Sequence, residues 1–278
     1  MVYFNNRYIP ASTFAVNSGN RAFKYGDGLF ETLLIINKKT PLLNYNLQRL
    51  KKGMLLLGIN FPDAWNIAFF DDIISRLVKE LNLENGRCKI TVWRDGGGLY
   101  KPEINDVALL IEISPITSPV LSYVQKDLRL GIYDDYPKMI HPLSACKTAN
   151  ALPYVLAAKF AVENQFDDVL LLNTNDLIAD AISSNIVIVK NNSFYTTTPM
   201  NGGVEGTMQQ FICDHSDDLD IAISRMPMTI GEVLSADAVL LTNAIQGIVP
   251  VTRFQDATYE NNSAIELLHK LKALITSM

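Results

Sequence analysis

Residues 114–119 read SPITSP, two prolines with serine and threonine between apolar runs. Proline fixes its own φ and pushes the preceding residue out of the helical region, so a helix or a central strand does not run through such a stretch. A domain boundary is predicted there, with a smaller N-terminal α/β domain at 1–115, a linker at 116–127 and a larger C-terminal α/β domain at 128–278. At 278 residues the chain is long enough for two cores.

Both parts mix strand and helix patterns. VYF and RYI flank Asn5-Asn6, a pair that tolerates positive φ, and predict a hairpin. LFETLLII (29–36) reads as a strand, followed by a polar turn at 37–39 and a short strand around PLL. Leu47, Leu50, Met54 and Leu57 recur at helical spacing and Gly58 is placed to end that helix; a second helix is predicted over about 66–81. CKITVWR and VALLIEI follow as strands. Beyond the boundary come strands near 128–134, 169–173 and 185–189, a turn at NNS into FYTTT, a glycine-rich loop at 202–206 opening a short helix, a helix at 229–235 and strands near 238–250. The pattern is α+β, or mixed α/β, and not one repeating βαβ sheet.

A net charge of -5 argues against a general polyanion surface, so nucleic acid is not expected as a partner. Cys88, Cys146 and Cys213 are odd in number and lie in no C-x-x-C spacing, so neither a disulfide framework nor a zinc site is implied, and a cytoplasmic setting is expected. No apolar run approaches the roughly 18 residues of a membrane span, so no membrane partner is expected.

Lys147 stands just before an apolar helix with Pro153 in its first turn, in SACKTANALPYVLAAKF. The helix dipole and its apolar neighbours would disfavour the ammonium, as an amine nucleophile requires; a solvated loop lysine is the alternative. GGVEGTMQQFI (202–212) offers consecutive backbone N–H groups at a helix start, suited to a phosphate, but glycine loops before helices are common. Asp180 sits among apolar residues, either as a turn residue or as a carboxylate awaiting a buried cation. The three histidines lack ligand spacing, so no metal is expected.

RAFKYGDGLFET, NLQRL, CKTANALPYVLAAKF, LIADAISSNIVIV, GGVEGTMQQFI and LTNAIQGIVPV, in this order along nearly the whole chain, resemble blocks of the fold-type IV pyridoxal-phosphate enzymes, the class IV aminotransferase superfamily. The resemblance implies a two-domain fold like that of D-amino acid aminotransferase, pyridoxal 5′-phosphate as cofactor, a small amino substrate and a homodimer. It assigns Lys147 as the Schiff-base lysine in the C-terminal domain. Arg49, the backbone at Thr207 and Met208, and Thr242, Asn243 and Ala244 are assigned to the phosphate. Asp180 takes the place where the family usually carries glutamate against the ring nitrogen, on a stem shorter by about one carbon–carbon bond, roughly 1.5 Å.

GGVEGTMQQFI and the R-x-G-G-G-x-Y loop are similar to the aminodeoxychorismate lyase branch, although Leu99 stands near a position where that branch carries a second arginine. Tyr25, which matches an aromatic lining the family's substrate pockets, Arg94 and Tyr100 are the substrate-pocket candidates, with Arg94 on a carboxylate; a strand-end charge and ordinary aromatic packing are the alternatives. A transaminase for branched-chain or D-amino acids is the alternative, with Ala151 replacing a tyrosine often found after the asparagine; a non-catalytic binding protein on the same fold is a third.

Overall fold

Strand β1 (Val2–Phe4) turns back through Asn5 and Asn6, both at positive φ, into β2 (Arg7–Ile9). The computed structural model describes residues 1–124 and 126–278, so the expected linker at 116–127 includes one position, Gln125, outside the described residues. Two compact units emerge, one of Met1–Val120 with Cys146–Asn150, the other of Leu121–Ala145 with Ala151–Met278.

In the first unit the hairpin is followed by α1 (Arg21–Tyr25), β3 (Gly28–Ile35), α2 (Leu43–Leu57), α3 (Ile67–Glu80), β4 (Gly86–Arg94) and β5 (Val107–Pro115). The strands form one antiparallel sheet in the order β2-β1-β5-β4-β3. Leu50 and Met54 of α2 and Phe70, Ile74 and Leu77 of α3 bury against Leu29, Leu33, Ile90 and Ile111 of the sheet. Gly58 ends α2 at φ 65°, where a side chain would be strained. The short strand expected around PLL is absent: Leu43 N–H donates to Thr40 O and Asn46 N–H to Leu42 O, so a turn leads straight into α2.

The second unit runs β6 (Arg129–Lys138), α4 (Leu152–Glu163), β7 (Asp168–Asn173), β8 (Ile178–Ala181), β9 (Asn185–Lys190), β10 (Ser193–Thr197), α5 (Thr207–Asp214), β11 (Ile223–Met226), α6 (Ile230–Leu234), β12 (Ala238–Asn243), β13 (Gly247–Val251), β14 (Arg253–Phe254), β15 (Ala257–Thr258) and α7 (Asn262–Ser277). Two mixed sheets form, β11-β10-β9-β12-β13 and β15-β14-β6-β7-β8. Their apolar faces meet in one core of Leu170, Leu172, Ile186, Ile188, Leu241 and Val251, among others. Helix α7 was not anticipated, though Ala264, Leu267, Leu268, Leu271 and Ile275 are buried at helical spacing. Among the described residues no helix is long and apolar enough to cross a membrane.

The lysine segment departs from the expected division. Lys147 was assigned to the C-terminal domain, but residues 146–150 belong to the first unit. The cause is backbone pairing: Phe30 N–H donates to Lys147 O and Ala149 N–H to Gly28 O, each at 2.9 Å, which bridges Thr148 to Leu29 on the outer edge of β3.

Candidate active site

Strand β3 carries two of the expected site residues through adjacent positions. Phe30 takes the Lys147 backbone, and the Lys147 ammonium lies over the Phe30 ring, 4.8 Å from its centroid. The next residue, Glu31, is buried and holds Arg49 of α2 at two points, Nε to Oε1 at 2.9 Å and Nη2 to Oε2 at 2.6 Å. Asn46, one turn earlier in α2, donates to the same carboxylate at 2.7 Å. A guanidinium gripped at two points has a fixed plane, the geometry that planar recognition requires. Glu31 lies in FET, inside the first resembling block, but a lone glutamate in an apolar strand does not name its partner 18 residues on.

The three expected pocket residues part company. Tyr25 closes α1 and its ring lies 5.4 Å from that of Tyr100, which is itself exposed on the loop after β4. Arg94 is different. It is buried, with Nε on Asp27 Oδ2 at 2.9 Å, Nη1 on Gly58 O at 3.0 Å and on the Asn105 side chain, and Nη2 on Leu57 O at 2.5 Å. The carboxylate-binding role expected of Arg94 therefore meets a guanidinium already committed to the chain, because the end of β4 abuts the C-terminal carbonyls of α2. Arg21, which carried no expected role, shares Asp27 at 2.7 Å and donates to the carbonyls of Gly98 and Leu99, tying down the 97–100 loop.

In the second unit, Asp180 lies within β8 and is buried. Its Oδ2 accepts from Lys138 Nζ at 2.6 Å, Tyr154 Oη at 2.7 Å and Val204 N at 3.0 Å; its Oδ1 accepts from Asn185 Nδ2 at 3.1 Å. The glycine-rich loop makes this possible. A Cβ at Gly203 would fall 2.3 Å from Ala179 O, and one at Gly206 would fall 1.7 Å from Asn185 Oδ1. Lys138, Tyr154 and Asn185 had no role at the level of sequence. Asn185 sits in the block LIADAISSNIVIV, whereas Lys138 ends a run of exposed residues in β6 and gives no signal there.

The same loop delivers Gly206 to the start of α5. Thr207 and Met208 occupy its first turn, which contains no acidic residue, and Gln209 fastens the helix to β10 by donating to Thr196 Oγ1 at 2.6 Å. Helix α5 packs against β12, whose last residues are Thr242 and Asn243. Asn243 Oδ1 accepts from the N–H groups of Ile245 and Gln246, so its side chain shapes the turn that follows Ala244. Thr242 Oγ1 is buried without a hydrogen-bond partner among the described residues. A buried orphan hydroxyl is costly unless a ligand completes it, and a phosphate oxygen would do so. With the first turn of α5 and a buried carboxylate in the same unit, the donor set fits a phosphorylated, ring-nitrogen cofactor.

Residues 28–254 match the family Amino-transferase class IV. The chain is 22% identical to the aminodeoxychorismate lyase of Bacillus subtilis, over 97% of this chain and 94% of that protein. It is 21% identical to a D-alanine aminotransferase of Staphylococcus epidermidis, over 98% and 95% of the two chains. A branched-chain amino acid aminotransferase of Escherichia coli superposes with a TM-score of 0.87 at 17% identity, over 99% of this chain and 94% of the other. The mixed α/β fold is thus that of fold-type IV enzymes. The chain belongs to the class IV aminotransferase family and is a pyridoxal 5′-phosphate-dependent enzyme.

Proposed function

We propose that the protein is an aminodeoxychorismate lyase, releasing pyruvate and 4-aminobenzoate. The similarity to a lyase of that name along nearly the whole chain carries this reading. Lys147 is its acid–base group: the ε-amine removes a proton from the carbon bearing the substrate nitrogen and returns a proton to the enolpyruvyl side chain as pyruvate departs. When bound, pyridoxal 5′-phosphate supplies the electron sink for the charge left at that carbon. Asp180 would hold its ring nitrogen. Arg49, the first turn of α5 at Thr207 and Met208, and Thr242 to Ala244 would hold its phosphate. Pairing with β3 fixes the Lys147 backbone, so only its side chain needs to move between proton donor and acceptor. Tyr25 and Tyr100 contribute an aromatic pair for a ring-shaped substrate.

One observation favours a second reading. Arg94 is committed to Asp27 and to carbonyls of α2, and Leu99 and Tyr100 on the loop after β4 are exposed. That surroundings suits an apolar side chain better than a second carboxylate, as in a branched-chain or D-amino acid transaminase. Purified protein given aminodeoxychorismate alone should release pyruvate without any keto-acid acceptor. Turnover that requires 2-oxoglutarate and proceeds with D-alanine or leucine would replace the lyase by the transaminase.

The homodimer reading is supported by α4. Leu152, Val155, Leu156 and Val162 are exposed on it, alongside the Lys159–Glu163 ion pair. Exposed apolar residues grouped on one helix mark a surface that a partner can cover.

A further inference from the structure

Lys138 has no part in the chemistry above, yet it is buried and points at the one carboxylate that the bound cofactor would need. Strand β6 makes this contact by an irregularity. Its pairing with β7 is regular from Leu130 to Tyr133, then shifts, so that Lys138 pairs with Asn173. Asp180 pairs with Leu171 from the other side of β7. Lys138 and Asp180 thus flank the same strand, and the ammonium reaches Oδ2 at 2.6 Å. Tyr154 of α4 closes the cluster: its hydroxyl donates to the same oxygen at 2.7 Å and is in hydrogen-bond contact with the ammonium, which lies over its ring at 4.7 Å.

A carboxylate whose task is to hold a ring nitrogen protonated does so by placing negative charge beside it. A second cation on the same oxygen draws on the same charge. The other partners of Asp180, Asn185 Nδ2 and Val204 N–H, are neutral donors and would suffice to orient it. Orientation alone therefore does not account for a buried ammonium, which is costly to desolvate.

We propose that Lys138 is a positioning residue of this site which, with Tyr154, shares the charge of Asp180 and thereby limits the protonation of the ring nitrogen of bound pyridoxal 5′-phosphate. The proposal rests on the assignment of Asp180 to that nitrogen. It gives the aspartate-for-glutamate exchange a partner: a shorter carboxylate, held back against a cation, makes a softer electron sink than a glutamate with no cation of its own.

The test reads the nitrogen itself. Holoenzyme is reconstituted with cofactor labelled with 15N in the ring, and the 15N resonance is compared between wild type, Lys138→Met, Lys138→Arg and Tyr154→Phe. Lys138→Met should move the resonance toward the pyridinium position, Tyr154→Phe should move it less in the same direction, and Lys138→Arg should leave it near wild type. A folded Lys138→Met holoenzyme with an unmoved resonance overturns the proposal. So does a shift toward the unprotonated position, the result of an Asp180 merely set adrift. Should Lys138→Met not fold, Tyr154→Phe, which loses one hydroxyl, is read by the same criteria. A wild-type protein that takes up no cofactor overturns the site assignment and the proposal together, whereas an unmoved resonance in a loaded protein overturns the proposal alone.

Discussion

Glu31 and Arg49 meet as a buried two-point ion pair, with contacts of 2.9 and 2.6 Å, on adjacent faces of β3 and α2. Removing one partner strands the other charge away from water, at a cost of about 3–5 kcal/mol, whereas replacing both by apolar groups can be nearly neutral. Glu31→Ala should lower the urea-unfolding free energy by that amount, and Glu31→Leu with Arg49→Met should recover most of it. A single substitution costing under about 1 kcal/mol would mean that the pair is hydrated, as surface pairs are.

Gly203 lets the loop before α5 run against β8. Its hypothetical Cβ meets a backbone oxygen, Ala179 O, which cannot rotate aside. Gly203→Ala should cost about 1–3 kcal/mol of stability, as overpacking does. It should also speed cofactor loss on dialysis, because the Val204 N–H would be drawn off Asp180. Retention of both stability and cofactor would show that the loop is not held by this contact.

Asp168 opens β7 with its Oδ1 on the N–H groups of Val169 and Ile182. Burial raises its pKa above the usual 3.8, and the two N–H donors only partly offset this. A carboxyl with a raised folded-state pKa binds its proton more tightly in the native protein, so its contribution is present below pH 3.8 and is lost as pH rises through the folded value. Asparagine keeps the acceptor but cannot ionise. The stability of Asp168→Asn relative to wild type should therefore improve as pH rises from below 3.8 toward neutrality, followed by urea unfolding. A difference that is flat with pH would contradict the assignment.

Much of the architecture was legible because the signals were local. Asn5-Asn6 needs only its own φ angles to make the hairpin, and Gly58 only its own αL geometry to stop α2. The expected strand at PLL failed because a short apolar run such as Leu42-Leu43, buried here at the start of α2, does not by itself distinguish strand from helix. The roles proposed for Lys147 and Arg49 rest on the order of blocks along the chain, not on any signal in their immediate neighbours. The site was opaque where the partner is distant: nothing near Arg94 announces Asp27 and the carbonyls of α2, and nothing near Lys138 announces Asp180. The placement of residues 146–150 on β3 was hidden likewise, since a strand edge recruits passing backbone without a side-chain signal.

The exposed apolar residues of α4 make an association prediction. If a second copy covers Leu152, Val155 and Val162, then Val155→Glu should convert a dimer into a monomer in sedimentation velocity, with the far-ultraviolet circular dichroism unchanged. A dimer of undiminished strength would place the interface elsewhere.

Lys147, held on β3, is the residue assigned to carry the cofactor. Protein loaded with pyridoxal 5′-phosphate should lose its visible absorbance on borohydride reduction, and peptide mass mapping should then find the pyridoxyl mass on Lys147, with none in a folded Lys147→Ala variant. The same adduct on another lysine, or a trapped adduct of equal yield in Lys147→Ala, would contradict it.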